Sequence, residues 1–145
     1  MVGTPSLTAR ITVHDLMTEH LFTVGPHDDL ATVRDLMVDH RVRHIPVVDA
    51  DGQLIGLVSH RDLLRHSLIE QEDIPGYVEE TVLEQVEVCE VMTSNPDAVT
   101  AELDIREAAQ VMLDHKYGCL PVVEGKRLVG ILTEADFVRL MAQGE

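Results

Sequence analysis

Short apolar runs separated by a glycine turn form the clearest pattern in the chain. Residues 41–48 read Arg-Val-Arg-His-Ile-Pro-Val-Val and residues 53–58 read Gln-Leu-Ile-Gly-Leu-Val, with Asp51-Gly52 between them. Two such runs on either side of Asp-Gly are typical of a β-hairpin. Ser59-x-x-Asp62 follows directly and predicts the capped start of a helix that continues to about Leu68. The pattern therefore predicts strand, turn, strand and helix.

Apolar residues at spacings of three and four predict another helix before this hairpin. It begins near Asp28-Asp29, whose negative charges suit the positive end of a helix dipole, and it ends at His40-Arg41. Its predicted buried face consists of Leu30, Val33, Leu36 and Met37. A shorter helix is predicted at 12–17 with Thr12 as N-cap, followed by an extended stretch and a turn at Gly25-Pro26.

The whole order of motifs occurs twice. Equivalent residues are 75 positions apart before the hairpin turn and 74 apart after it, because the second turn is one residue shorter. The matching pairs are Met17 and Met92, Thr18 and Thr93, Pro46 and Pro121, Gly56 and Gly130, Ser59 and Thr133, and Asp62 and Asp136. Two copies are too few for a solenoid. We expect a mixed α/β fold of the α+β class, in which two similar units pack with pseudo-two-fold symmetry and leave two equivalent clefts between them.

The repeat predicts four segments along the chain. Residues 1–10 are expected to be a flexible leader, 11–69 the first repeat, 70–87 an acidic linker with a helical part at 78–86, and 88–142 the second repeat. Pro75-Gly76 and the surrounding acidic residues interrupt the periodicity there. The two repeats together are expected to form one module.

Charge and composition exclude some partners. The chain carries 26 acidic and 11 basic side chains, a formal net charge of −15. Nucleic acids and anionic membranes require a positive field, so neither is an expected partner. A signal peptide and an apolar run of about 18 residues are both missing from the pattern, which predicts a cytoplasmic location. Cys89 and Cys119 are expected to be two reduced thiols.

Both repeats resemble the CBS domain, named after cystathionine β-synthase, and the pair resembles a free-standing Bateman module. The resemblance covers about residues 10–142 and rests on Met-Thr near the start of each copy, the Pro-Val-Val strand, the Leu-x-Gly strand and [Ser/Thr]-x-x-Asp. It implies a regulatory, non-catalytic sensor of AMP, ADP, ATP or S-adenosylmethionine that needs no cofactor and forms a homodimer. The protein target stays open.

The resemblance also implies the roles of the residues around the first hairpin. Asp62 is expected to accept hydrogen bonds from the ribose hydroxyls, and Ser59 to meet the phosphate at a helix N-terminus, which favours anions. Arg43 and His44 stand where the family presents basic side chains to a nucleotide phosphate. Four of the eleven basic residues also cluster in this region and favour an anion site, namely Arg41, Arg43, Arg61 and Arg65. Two simpler interpretations stay open: a capping box at Ser59 and Asp62, and a solvated basic surface.

The second repeat departs from this pattern. Thr133 and Asp136 are retained, but Gly118 and Cys119 replace Arg43 and His44, leaving Lys116, Lys126 and Arg127 as the nearby cations. This site is expected to be empty or to accept an uncharged or sulfonium-bearing adenosyl group. The candidate residues for an apolar adenine slot in the two sites are Val24, Ile45, Val99 and Leu120. The backbone carbonyls at Pro46 and Pro121 are candidates for hydrogen bonds to the edge of the base. Aliphatic residues in strands are more often plain core, and that interpretation competes here.

Metal and catalytic sites are not predicted. The histidines lack the spacing of a zinc ligand set, and no nucleophile motif or phosphate-binding glycine loop is present. Acidic clusters around Glu70 and around Glu84 could attract magnesium, although such runs are usually a solvated helix face. The alternative function is a ligand-free interaction module, whose dimer or partner surface would comprise Leu63, Leu64, Leu68, Phe137, Leu140 and Met141.

Overall fold

The computed structural model describes residues 10–70 and 83–143, with side chains described up to residue 66 in the first of these ranges. In chain order the elements are α1 (Val13–Leu16), α2 (Leu30–His40), β1 (His44–Val48), β2 (Leu54–Ser59), α3 (His60–Glu70), a 3₁₀ turn (Val88–Glu90), β3 (Thr93–Ser94), α4 (Ile105–His115), β4 (Cys119–Glu124), β5 (Arg127–Thr133) and α5 (Glu134–Gln143). This confirms the predicted mixed α/β fold with two repeats. The predicted leader, the Pro75-Gly76 linker and most of the predicted helix at 78–86 lie outside the described residues.

The chain divides into two compact units. The Asp62 unit is Phe22–Pro96, and the Asp136 unit combines Met1–Leu21 with Asp97–Glu145. The units therefore differ from the repeats along the sequence, because each unit contains the opening segment of the other repeat. Backbone pairing is the cause: Thr18 forms a bridge with Ile131 of β5, and Thr93 of β3 pairs with Leu57 of β2.

Each unit is built on the predicted hairpin. In the Asp62 unit, β1 and β2 are antiparallel with Ile45 opposite Val58, and β3 continues the sheet in the order β1-β2-β3. In the Asp136 unit, β4 and β5 pair in the same way with Leu120 opposite Leu132. Each hairpin has a register shift at the same place, between Val47 and Val48 and between Val122 and Val123. The two hairpins thus repeat in register as well as in sequence.

The helix boundaries follow from capping. Asp29 accepts a hydrogen bond from the amide of Thr32 at 2.8 Å and caps α2, which confirms the predicted acidic start. The helix ends at Arg41, whose φ of 56° lies in the left-handed region, and its equivalent Lys116 ends α4 with a φ of 59°. Both amides donate to the carbonyl of a methionine, Met37 or Met112. A residue other than glycine in the left-handed region costs about 1 kcal/mol. The packing around Arg41 and Lys116 must therefore stabilise this conformation.

Each unit has its own aliphatic core. In the Asp62 unit, Leu30, Val33 and Met37 are buried as the helical spacing predicted, and they pack with Ile45, Val47 and Val58 of the hairpin. The core of the Asp136 unit contains Val13 of α1, Ile105, Ala108 and Met112 of α4, and Leu120, Val122 and Leu132 of the hairpin. The helices of both units therefore cover one face of a hairpin. Among the described residues, no helix combines the length and apolar character that crossing a membrane requires.

One glycine in each hairpin lies directly against the opening segment of the other repeat. A Cβ atom at Gly130 would lie 2.6 Å from Sδ of Met17 and 3.2 Å from the carbonyl oxygen of Thr18. At Gly56, a Cβ atom would lie 2.3 Å from Sδ of Met92. The Met-Thr and Leu-x-Gly motifs are thus two sides of one close contact. A side chain at Gly130 would meet the main chain at Thr18, whereas one at Gly56 would meet the flexible side chain of Met92.

We expect Gly130→Ala to lower the free energy of unfolding by about 1–3 kcal/mol, because the added methyl group overpacks the contact with Met17 and Thr18. Urea unfolding followed by circular dichroism measures this change. Adding Met17→Ala to Gly130→Ala should restore part of the loss, since it removes the clashing side chain. Strictly additive losses in the double variant would contradict this account.

Candidate ligand-binding sites

Ser59 and Asp62 form a reciprocal capping box at the junction of β2 and α3. Ser59 Oγ accepts a hydrogen bond from the Asp62 amide at 3.1 Å, and Asp62 Oδ2 accepts one from the Ser59 amide at 2.9 Å. The simpler interpretation of this motif is therefore confirmed. Among the described residues, the other carboxylate oxygen, Oδ1, has only Arg65 Nη1 near it, at 3.9 Å, and the Asp62 side chain is 21% exposed. Within the described part of the chain, Oδ1 of Asp62 therefore accepts no hydrogen bond, in contrast to Oδ2.

The fold brings the predicted basic residues to this capping box. His44 lies opposite Ser59 in the β1–β2 register, and the carbonyl of Arg43 accepts a hydrogen bond from the amide of His60 at 2.8 Å. Arg43 is exposed, as is Arg61 in the first turn of α3. Arg43, His44, Ser59, Arg61 and Asp62 therefore share one corner of the Asp62 unit, where a helix N-terminus adds partial positive charge.

The equivalent corner of the Asp136 unit is closed. Asp136 Oδ2 accepts hydrogen bonds from the amide and the hydroxyl of Thr133, at 2.8 and 3.4 Å. Its Oδ1 accepts one from the hydroxyl of Thr18 at 3.0 Å and another from Arg139. The Asp136 side chain is only 1% exposed. A ribose would have to displace Thr18 or Arg139 to reach this carboxylate.

Thr18 is a site residue that the sequence reasoning missed. It belongs to the first repeat, whereas Thr133 and Asp136 belong to the second, and the exchange of opening segments brings them together. The available signal was the repetition of Met-Thr itself, which marked position 18 without giving its partner. Its counterpart Thr93 is exposed in β3.

The chemistry beside Thr133 also differs from that beside Ser59. Cys119 lies opposite Thr133 in the hairpin and is buried, and this burial raises the pKa of its thiol to about 12. A neutral thiol therefore occupies the place of His44. Of the three candidate cations, Lys126 and Arg127 lie at the β4–β5 turn, about 20 Å along the strand from Thr133. Lys116 ends α4 two residues before Gly118.

The candidate adenine-lining residues lie mainly in the cores. Ile45 and Leu120 are fully buried and Val24 is 4% exposed, as the plain-core interpretation expects. Val24 and Val99 each donate a backbone hydrogen bond to the carbonyl of the buried Pro46 or Pro121, at 3.1 and 3.0 Å. Each carbonyl oxygen has a second lone pair, which can accept a hydrogen bond from the edge of a base. The ligand roles of these six residues stay predictions.

A cavity of about 460 Å³ lies elsewhere in the Asp136 unit. Its walls include Met17, Val123 and Gly125, together with His14 and the acidic Glu19, Glu102 and Glu124. Gly125 belongs to the β4–β5 turn, so the cavity is at the end of the hairpin opposite Thr133. None of its lining residues is among the predicted site residues. The volume of this cavity therefore does not identify the predicted site at Thr133 and Asp136.

We expect Asp136→Ala to lower the free energy of unfolding by about 2–4 kcal/mol, because it leaves Thr18 and the Thr133 amide without their buried acceptor. Asp62→Ala is the matched control, since it removes the same capping role from a partly exposed site and should cost only about 1 kcal/mol. Urea unfolding at neutral pH compares the two variants. Equal losses would show that the Thr18 contact contributes little.

The CBS domain family model matches the chain at residues 13–69 and 88–143. Among solved structures, AcuB of Vibrio cholerae is 36% identical, with a TM-score of 0.79 and 93% coverage of both chains. CBSX2 of Arabidopsis thaliana, crystallised in complex with AMP, is 32% identical, with a TM-score of 0.75 and coverage of 91% of this chain and 96% of that chain.

Curated relatives extend the same similarity. The chloroplastic CBS domain-containing protein CBSX1 of Arabidopsis thaliana is 32% identical over 155 aligned positions, which cover 91% of this chain. The chain spans 64% of the length of that relative. The family match covers both repeats, and the solved structures share the fold over nearly their full length. The chain therefore belongs to the CBS domain family.

Proposed function

We propose that the protein is a regulatory sensor that binds an adenosyl ligand, namely AMP, ADP, ATP or S-adenosylmethionine, at the Asp62 corner. CBS-pair proteins are generally regulatory, non-catalytic modules, and CBSX2 was crystallised with AMP. The observation that carries the proposal is the state of the Asp62 carboxylate. One oxygen is fixed by the Ser59 amide, and the other stays available to accept hydrogen bonds from ribose hydroxyls.

Local charge supports a phosphorylated ligand at this corner. The chain as a whole has a net charge of −15, which repels anions in solution. A phosphate therefore needs nearby cations, and Arg43, Arg61 and the N-terminus of α3 supply them at the same place. A charge-assisted hydrogen bond contributes about 1.5–3 kcal/mol. One or two such bonds would favour a nucleotide over a nucleoside.

The Asp136 corner is the weaker candidate. Its carboxylate already accepts four hydrogen bonds within the unit, and a neutral Cys119 stands in place of His44. Without a phosphate clamp, this corner suits an uncharged or sulfonium-bearing adenosyl group better than a nucleotide. Occupying it also requires the Thr18 hydroxyl to give up its acceptor. We therefore place the first binding event at Asp62.

Exposed apolar residues at equivalent positions support a homodimer. Val38 and Leu113 are 75 residues apart on α2 and α4 and are 69% and 72% exposed, while Leu64 and Val138 are 74 apart on α3 and α5 and are 49% and 66% exposed. Leu63, predicted as part of the association surface, is instead core at 5% exposure. We propose these four side chains as contacts of the homodimer. A cytoplasmic location stays the sequence-based prediction.

We expect Asp62→Asn to weaken the binding of AMP, ATP, adenosine and S-adenosylmethionine by about tenfold or more. The amide oxygen of asparagine can still accept from Ser59, but its NH₂ group then faces the ribose and cannot accept hydrogen bonds. Isothermal titration of the full chain measures the change. Unchanged affinity would remove the proposed ribose contact, and no binding by the wild type would favour a ligand-free interaction module.

Arg43→Ala tests the proposed phosphate contact separately from the contacts with the nucleoside. It should weaken AMP and ATP about tenfold to a hundredfold and leave adenosine unchanged, because only the phosphate loses a charge-assisted bond. Arg127→Ala is the matched control, since Arg127 is an exposed arginine at the β4–β5 turn of the other unit. An equal loss for adenosine and AMP in Arg43→Ala would contradict the phosphate role.

We expect the double variant Val38→Glu with Leu113→Glu to be monomeric and the wild type to have twice the 16.1 kDa chain mass. A charge buried at an interface without a partner is strongly unfavourable. Light scattering coupled to size exclusion measures the masses. Gln53→Glu, a comparable charge change in the exposed β1–β2 turn, should leave the dimer intact, and a monomeric wild type would exclude the homodimer.

A further inference from the structure

The fold assembles a group of possible metal ligands that the sequence spacing did not indicate. His27 Nδ1 lies 2.9 Å from Glu87 Oε1, and Cys89 Sγ lies 3.6 Å from the same oxygen. One ligand atom from each of the three side chains falls within 4.8 Å of the other two. His27 is about 60 positions before the other two along the chain, which is far outside the short ligand spacings of recognisable zinc motifs.

We propose that His27, Glu87 and Cys89 form a binding site for a divalent transition-metal ion of the zinc class. Imidazole, carboxylate and thiolate are all zinc ligands, with metal–ligand distances of about 2.0–2.3 Å. In a tetrahedral site these distances place neighbouring ligand atoms about 3.3–3.6 Å apart. The Cys89–Glu87 distance already has this value, and the His27–Glu87 pair needs to open by only a few tenths of an ångström. Three protein ligands leave one position for water or a second molecule.

Backbone hydrogen bonds hold the two ligand-bearing segments together. The amide of Cys89 donates to the carbonyl of Pro26 at 2.9 Å, and the amide of Val88 donates to the carbonyl of Asp28 at 2.8 Å. Asp29 and Glu87 form an antiparallel bridge next to the Val88–Asp28 contact. The position of His27 relative to Glu87 and Cys89 is therefore set by main chain rather than by the side chains themselves. Such preorganisation reduces the entropy that metal binding must remove.

The surroundings favour a cation of this class. Glu90 is next to the group, with its carboxylate on the amide of Glu87 at 3.0 Å, and Asp28 follows His27. Magnesium and calcium prefer sites made only of oxygen ligands, whereas a thiolate and an imidazole select softer metals. The His27 and Glu87 side chains are 78% and 49% exposed, so an ion can enter directly from solvent. We expect an exposed site with three protein ligands to exchange its metal ion with the solvent.

The other repeat supplies a natural comparison. Thr12, His14 and Glu102 are the residues 75 positions from Glu87, Cys89 and His27. The thiol is replaced by an imidazole there, and the bridging carboxylate by a threonine. His14 also lies 3.4 Å from Glu19. Among the described residues, three such ligand atoms within 4.8 Å of one another are found at His27, Glu87 and Cys89, and His14 is the control position in the other repeat.

Titration of the full, metal-free chain with cobalt(II) tests the proposal, because a cobalt–thiolate bond gives a charge-transfer absorption that oxygen ligands do not. Zinc affinity follows from competition with the bound cobalt. We expect one ion per chain with a thiolate band, loss of the band in Cys89→Ser, and at least tenfold weaker binding in both Cys89→Ser and His27→Gln. His14→Gln should bind as the wild type does.

Two results would overturn the proposal. One is the lack of a thiolate band in the wild type at saturating cobalt. The other is equal affinity of the wild type, Cys89→Ser and His27→Gln, which would assign the ion to the acidic surface in general. Because His27 and Cys89 are exposed, circular dichroism should show unchanged folding in both variants. The adenosyl ligand is not used in this experiment, so the result is independent of the proposed function.

Discussion

The packing of each Met-Thr segment against a hairpin glycine is the contact on which the rest of the structure depends. Met17 covers Gly130 and Met92 covers Gly56 so closely that a side chain at either glycine would displace the methionine. Thr18 then pairs with Ile131 of β5 through a backbone bridge, and Thr93 pairs with Leu57 of β2. Because these segments come from the opposite repeat, neither repeat forms a complete unit from its own residues. Both repeats are therefore needed to complete each unit.

The same contact explains why two equal motifs produce unequal sites. The hydroxyl of Thr18 reaches Oδ1 of Asp136 and, together with Arg139, closes that carboxylate inside the unit. At the other corner, Asp62 retains an available oxygen beside Arg43, His44 and the start of α3. A buried carboxylate that accepts four hydrogen bonds stabilises the fold, whereas a partly exposed one can exchange partners with a ligand. The two carboxylates thus differ in exposure and in hydrogen bonding, although their motifs are equal.

Much of the fold could be predicted from local patterns. The Asp-Gly turn, the start of α2 near Asp29 and the apolar face of α2 depend on neighbouring residues, and all three were confirmed. The exchange of opening segments could not be predicted, because spacing identifies equivalent residues but not which copy of a strand they pair with. The contact of Thr18 with Asp136 was missed for the same reason. Sequence also could not show that Ile45 and Leu120 are wholly committed to the cores.

Chain topology also explains how two segments without a metal-binding motif can together supply a set of metal ligands. His27 follows a turn and Cys89 lies in a 3₁₀ turn, and neither has a metal motif around it. Glu87 lies immediately before the exchanged segment that carries Met92 onto Gly56, and Cys89 lies within it. The packing that completes the Asp62 unit therefore also brings the thiol and the carboxylate to His27. A metal ion at this place would tie the opening segment of the second repeat to the turn before α2. It would therefore act on the same exchanged contact that supports the hairpin and, through β2, the Asp62 corner.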